Sequence, residues 1–164
     1  MSSSSCASSR KPWSTDAVEA REPARIRAAT AADALAIAEL AGQLGYPAEA
    51  SAVDARLASL DPRNAVYVAE REGTVVGWVH CHERRTLVAE PQVEILGLVV
   101  AEGRRGRGIG GALMARAEAW ANERGLSRVR LNSAVHRDGA HGFYVSLGYS
   151  ESKRQVVFVK QLRS

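Results

Sequence analysis

Val93–Trp120 reads VEILGLVVAEGRRGRGIGGALMARAEAW, and a change of rhythm inside it decides the fold. Its first part, Val93–Val100, is a nearly unbroken apolar run rich in β-branched residues, which suits a strand buried on both faces. From Gly108 or Ile109 onward the rhythm is helical. Ile109, Ala112, Leu113, Ala117 and Trp120 recur at three- and four-residue spacings and share one face. Between the two parts, Arg104–Gly111 places four glycines and three arginines in eight residues.

A helix leaves its first four N–H groups without internal partners and carries partial positive charge at that end. Glycines there let the backbone approach a ligand and take dihedrals that a Cβ forbids. Strand, glycine turn and helix start together make an anion site whose natural guest is a phosphate or pyrophosphate. The arginines add charge in a planar, multi-donor form suited to phosphate oxygens. A P-loop is excluded because the turn has no lysine. Gly106, Gly108 and Gly111 match a dinucleotide fingerprint, but the match lies two-thirds along the chain, and too little sequence follows to complete such a domain.

Two blocks carry a more specific signal. Arg105-Gly106-Arg107-Gly108-Ile109-Gly110 follows the strand ending Leu98-Val99-Val100, and Phe143-Tyr144-Val145-Ser146-Leu147-Gly148-Tyr149 lies downstream. The first closely resembles the acetyl-CoA pyrophosphate motif of the GNAT N-acetyltransferase superfamily, (Arg/Gln)-x-x-Gly-x-(Gly/Ala). The second is similar to the family's Phe-Tyr-x-x-Leu-Gly-(Phe/Tyr) block, in the family's order and at about its spacing. The resemblance spans about residues 24 to 162. It implies an α/β fold: a mixed, mostly antiparallel central sheet with a bulged, splayed central strand and about four flanking helices. It further implies acetyl-CoA as co-substrate, bound by Leu98, Val99, Val100, Arg105, Gly106, Arg107, Gly108, Ile109, Gly110 and Gly111, with Asn132 and Tyr144 adding contacts.

The rest of the chain fits one domain. At 164 residues and 46% apolar it can bury a proper core. No run of 18 apolar residues occurs, so no membrane span is expected. Residues 1–22, serine-rich and without an apolar stretch, read as a disordered extension rather than a signal peptide, leaving 23–164 as the domain. Localisation is then cytoplasmic. The net charge of +4 is modest, aromatic residues make up 5%, and no stacking platform appears, so the basic turn is assigned to a phosphorylated cofactor and not to nucleic acid. Cys6 and Cys81 do not make a disulfide framework. His80 and His82 share a strand face, but two ligands without companions do not make a metal site.

Taken in order, Ala24–Ala28 reads as a first strand, and Thr30 with Asp33 offers a cap for a helix over Ala31–Leu44. Gly45-Tyr46-Pro47 breaks it, and a second helix runs over Ala48–Leu60. In the family these helices wall the acceptor site, which puts Tyr46 and Glu49 in reach of substrate. Ala65–Glu70 and Thr74–Glu83 form a hairpin through Arg71-Glu72-Gly73. The central strand follows over Gln92–Val100, with Gly97 marking a bulge or close approach. After the cofactor helix come a strand over Arg128–Ala134, a short helix over Gly139–Leu147 capped by Asp138, and a terminal hairpin of Tyr149–Ser152 and Gln155–Leu162.

Acetyl transfer to an amine requires a neutral amine, a stabilised oxyanion and a proton for the leaving thiolate. By resemblance Tyr144 is the acid, and an ordinary tyrosine pKa of about 10 keeps it protonated at neutral pH. Glu94 is the leading base, since a carboxylate in an apolar strand is costly to bury without purpose. Glu90 and His141 are weaker candidates. A backbone N–H near Leu98 or Val99 serves the oxyanion, and no covalent nucleophile is needed. The expected function is N-acetylation of a primary amine on a small molecule, aminoglycoside-like or otherwise, by direct attack in a ternary complex. The alternatives are a protein or peptide N-acetyltransferase and a non-catalytic acyl-CoA-binding module. The expected partners are an amine-bearing acceptor and, as is common in the family, a second copy in a homodimer; no metal, nucleic acid or membrane is expected.

Overall fold

A computed structural model describes residues 22–162. The expected extension at 1–22 therefore lies, but for Glu22, outside the described residues. Five strands, β1 (Arg25–Ala28), β2 (Asn64–Arg71), β3 (Thr74–Arg84), β4 (Gln92–Val100) and β5 (Val129–Leu131), form one sheet in the order β1-β2-β3-β4-β5. Neighbours are antiparallel except β4 and β5, which run parallel. With the helices α1 (Ala34–Gln43), α2 (Ala50–Ala58), α3 (Ile109–Glu123) and α4 (Asp138–Ser146), this is the expected mixed α/β architecture.

Strand alternation sends side chains to two helical layers. Val79, Cys81, Val93 and Ile95 face α3 and meet Ile109, Leu113, Met114, Ala117 and Trp120 in the larger core. Val66, Val68 and Trp78 face the other way, against Ala34, Ile37 and Ala38 of α1 and Val53 of α2. The β2–β3 hairpin turns through Glu72 and Gly73, both at positive φ (51° and 74°), the backbone that a two-residue turn needs. Ahead of α1, the Asp33 carboxylate accepts the Thr30 N–H at 2.8 Å, so the expected cap pair is present. Arg27 grips the same carboxylate with two donors at 2.8 and 2.9 Å.

The C-terminal hairpin does not form. Residues 150–162 carry no strand and are exposed throughout. Asp138 is also not a cap: it is the first residue of α4, and Arg137 precedes it without a side-chain cap bond. The β5 strand is shorter than the Arg128–Ala134 expected, because only Val129–Leu131 finds a partner on β4.

Candidate active site

The turn between β4 and α3 opens outward. Glu102–Arg104 makes one tight helical turn, Gly106 and Gly108 take φ of 73° and 77°, and α3 begins at Ile109. Any side chain at these two glycines would be strained. No atom lies within 4 Å of where a Cβ on Gly103, Gly106 or Gly108 would stand. Among the described residues no side chain caps α3, so its leading N–H groups are left without a capping partner at its positive dipole end, a site suited to an anion. Arg105 is exposed and ties the turn to the end of β4 by donating Nε–H to the Val100 carbonyl at 3.2 Å. Arg107 is exposed beside it.

Gly110 has a different reason to lack a side chain, and Gly111 beside it would meet only ordinary contact. A Cβ on Gly110 would stand 3.0 Å from Phe143 Cζ, and one on Gly111 would stand 3.8 Å from Leu147 Cδ2. Phe143 and Leu147 of the second sequence block thus press on the glycine face of the first. The glycine run divides: Gly106 and Gly108 shape the turn, and Gly110 lets α4 close on α3.

Glycine 97 lies where β4 becomes irregular. His80 pairs with Gly97, while the next residue, Cys81, pairs with Ile95, which leaves Leu96 as the extra residue of a bulge. The Trp78 ring fills the space a side chain at Gly97 would need, 2.7 Å from the Cβ position. Parallel pairing with β5 stops at Ile95 opposite Leu131. Beyond it Leu98, Val99 and Val100 pair with Val79, Trp78 and Gly77 on one side only. Among the described residues no strand pairs with their other edge, so its backbone groups are open to an extended ligand.

On the α1/α2 side of the sheet, Asn64, His82, Glu94 and Arg130 form one cross-strand row over β2 to β5. The Glu94 side chain is 13% exposed and lies 3.3 Å from Arg84 and 3.9 Å from Arg130. Asn132 Nδ2–H donates to Glu94 Oε1 at 2.8 Å. These partners answer the cost of burying the carboxylate. Asn132, expected at the cofactor, has its side chain on Glu94.

Sequence reasoning missed Arg84, Arg130 and Asn64. The signal was the strand alternation itself, which puts them in register with Glu94 once the pairing is known. Asn64 Oδ1 accepts from His80 Nε2 at 3.0 Å and His82 Nδ1 at 3.2 Å, while its Nδ2–H donates to Asp61 at 2.9 Å. The amide orientation so set leaves each imidazole donating one N–H to the same oxygen. Burial holds the His80 pKa below its usual value, and His82 beside it adds to this.

Tyr144 lies half-buried on α4, its ring edge-on to Phe143 at 5.2 Å and to Tyr149 at 6.1 Å. Burial raises its pKa above the usual tyrosine value, so the hydroxyl remains a proton donor. Tyr149 O–H donates to Glu118 at 2.7 Å and anchors the end of α4 to α3. Cys81 is fully buried and its thiol is pushed up to about 12, which excludes a thiolate nucleophile. Tyr46 is 70% exposed, and Glu49 and Glu90 are exposed. His141 Nε2 contacts the Ala134 carbonyl at 3.0 Å. Among the described residues no group of three or more His, Cys, Asp or Glu gathers as a metal site, and no helix is long and apolar enough to cross a membrane.

The family model for the acetyltransferase (GNAT) family matches residues 31–149. Aminoalkylphosphonate N-acetyltransferase of Salmonella typhimurium is 36% identical over 114 residues, 69% of this chain and 73% of that protein. Aminoglycoside N(6')-acetyltransferase type 1 of Stenotrophomonas maltophilia is 30% identical over 138 residues, 81% of this chain and 90% of its own. Among solved structures, AAC(6')-Iy in complex with the bisubstrate analog CoA-S-monomethyl-acetylneamine superposes with a TM-score of 0.74 at 22% identity, covering 84% of this chain and 98% of that one.

Proposed function

Because the chain belongs to the acetyltransferase (GNAT) family and is an acyltransferase, we propose that it moves an acetyl group from acetyl-CoA to a primary amine of a small polar molecule. One observation carries this reading. The uncapped start of α3, under two left-handed glycines, lies just beyond the strand whose β5 side is left unpaired after Ile95. A pyrophosphate and an extended amide arm need those two features in that order.

Acetyl-CoA supplies the acetyl group as a thioester open to attack by an amine. The backbone N–H groups at Gly108–Gly111, with Arg105 and Arg107, hold the pyrophosphate. The free edge of Leu98–Val100 pairs with the amide arm, and an N–H near Leu98 or Val99 faces the carbonyl oxygen, where charge develops. Tyr144 O–H gives its proton to the departing thiolate. Glu94 draws in the acceptor's ammonium and takes a proton from it, directly or through water, and Asn132 keeps the carboxylate in place. The kinship to enzymes for aminoalkylphosphonates and aminoglycosides supports a small amine as acceptor.

Calorimetric titration of acetyl-CoA into the wild type and the Arg105→Ala/Gly108→Ala variant tests the donor site. Micromolar-range binding that the variant loses supports it, and screening amines for thiol release then identifies the acceptor. No binding by the wild type would sink the reading.

A further inference from the structure

The sheet face that carries Glu94 holds more positive charge than its carboxylate can answer. Glu94 lies 3.3 Å from Arg84 and 3.9 Å from Arg130, so one carboxylate stands between two guanidiniums. The other members of its row, Asn64 and His82, add no negative charge. Neighbouring carboxylates do not make up the difference. Glu83, next to Arg84, projects to the opposite face of β3, where it pairs with Arg85 and Arg124. Asp61 is taken by Arg63 and Asn64. Gln92, across from Arg84 on β4, is neutral, and Glu90 is exposed and pairs with neither arginine among the described residues.

The two arginines are not equivalent. Arg130 donates Nη2–H to Asn132 at 2.9 Å and is 23% exposed, so it is held within the group. Arg84 meets Glu94 through Nε and is 38% exposed, and its two Nη groups make no hydrogen bond among the described residues. With Nε against Glu94, the terminal pair of donors is left for a second anion, in the planar geometry that suits carboxylate, sulfonate or phosphate oxygens. An ammonium brought to Glu94 therefore meets a group with one net positive charge. Little attraction remains there for an acceptor that is only a cation. A negative charge set beside Arg84 restores the balance.

Resting on the acetyl-transfer reading above, we propose that the acceptor amine carries an anionic group of its own on a short linker, which Arg84 binds while Glu94 receives the amine. At ordinary hydrogen-bond lengths, groups held by two adjoining side chains stand roughly 4–6 Å apart, the span of an amine and an anion joined through about two or three atoms. Arg84 then sets specificity. A neutral amine leaves its donors unpaired, and a polycation is repelled by it.

The test is thiol release from acetyl-CoA with matched amines: β-alanine, taurine and O-phosphoethanolamine against ethanolamine and spermidine, with acetyl-CoA binding followed by calorimetry. At least one anionic amine should exceed ethanolamine and spermidine by about 10²-fold in kcat/KM, and the best of the three identifies the anion. Arg84→Gln should shrink that ratio by about tenfold or more, mainly through KM, and Arg84→Lys should keep part of it. Arg84→Glu should turn the preference toward ethylenediamine. Acetyl-CoA binding with ethanolamine or spermidine preferred, or with no anionic amine acetylated, overturns the proposal and leaves the donor site standing. Absence of acetyl-CoA binding overturns both. A ratio that Arg84→Gln does not move, at an unchanged melting temperature, also overturns it. Should Arg84→Gln fail to fold, the preference of the wild type alone decides.

Discussion

Asn132 donates its Nδ2–H to Glu94 Oε1 at 2.8 Å across the parallel pair of β5 and β4. Asn132 is the first residue after β5, and the pairing of β4 with β5 stops one residue beyond Glu94. The bond therefore fixes the carboxylate where the two strands part. Asn132→Ala should leave Glu94 to its arginines alone and lower kcat several-fold with little change in acetyl-CoA affinity. Glu94→Gln should cost more, about 10²-fold in kcat/KM for the amine, since it removes the proton acceptor. Steady-state kinetics with both substrates varied separates the two. A Glu94→Gln enzyme with full activity would remove Glu94 from the chemistry.

Tyr144→Phe keeps the ring that packs against Phe143 and Tyr149 and removes only the hydroxyl. The expected result is a loss of about 10²-fold in kcat at unchanged melting temperature. In the wild-type pH profile any alkaline loss from this group should fall at higher pH than for an ordinary tyrosine, because burial raises its pKa. Equal turnover by Tyr144→Phe would assign the proton to another donor.

The two kinds of glycine should fail differently. Gly108→Ala puts a Cβ at φ 77°, in open space, so about 1–2 kcal/mol of backbone strain falls on the turn and acetyl-CoA binding weakens by about tenfold. Gly110→Ala drives a methyl toward Phe143, and about 1–3 kcal/mol of stability is lost through displaced packing. Calorimetry reads the first and thermal denaturation the second.

Asp33 should make the fold acid-sensitive in a defined window. The Arg27 guanidinium bonded to it holds its carboxyl at about 2, against an ordinary 3.8. A depressed pKa contributes stability that is full above the unfolded value and lost as pH falls through the folded one. Asp33→Asn should thus cost about 2 kcal/mol at pH 6, and the gap from wild type should close between about pH 4 and pH 2. A gap constant with pH would show that Asp33 acts by packing alone.

Regular elements were legible where one local signal dominated. Gln92–Val100 matches its expected bounds, and α3 begins at Ile109 where the helical rhythm was read, since an apolar β-branched run and a 3.6-residue period are each a dominant local signal. The irregularity at Gly97 was legible in place, but the Trp78 ring that fills its Cβ position was not, because that contact spans two strands. The surroundings of Glu94 were hidden for the same reason: Arg84, Arg130 and Asn132 meet it only through strand register. Gly110 was read with the anion site because a glycine that shapes a turn and a glycine that admits a neighbour look alike in sequence. The expected C-terminal hairpin had strand composition in Gln155–Leu162, but composition alone does not give a strand an edge to join.

The fit of Phe143 against Gly110 also limits how this protein can be altered. It brings α4, which carries Tyr144, against the first turn of α3, so a larger side chain at 110 requires the Phe143 ring to shift and a smaller residue at 143 would make room for it. Residues 45–47 and 86–90 are exposed throughout and lie outside that contact. Substitutions there leave the packing of Phe143 on Gly110 untouched, and a search for variants with a new acceptor amine can begin with them.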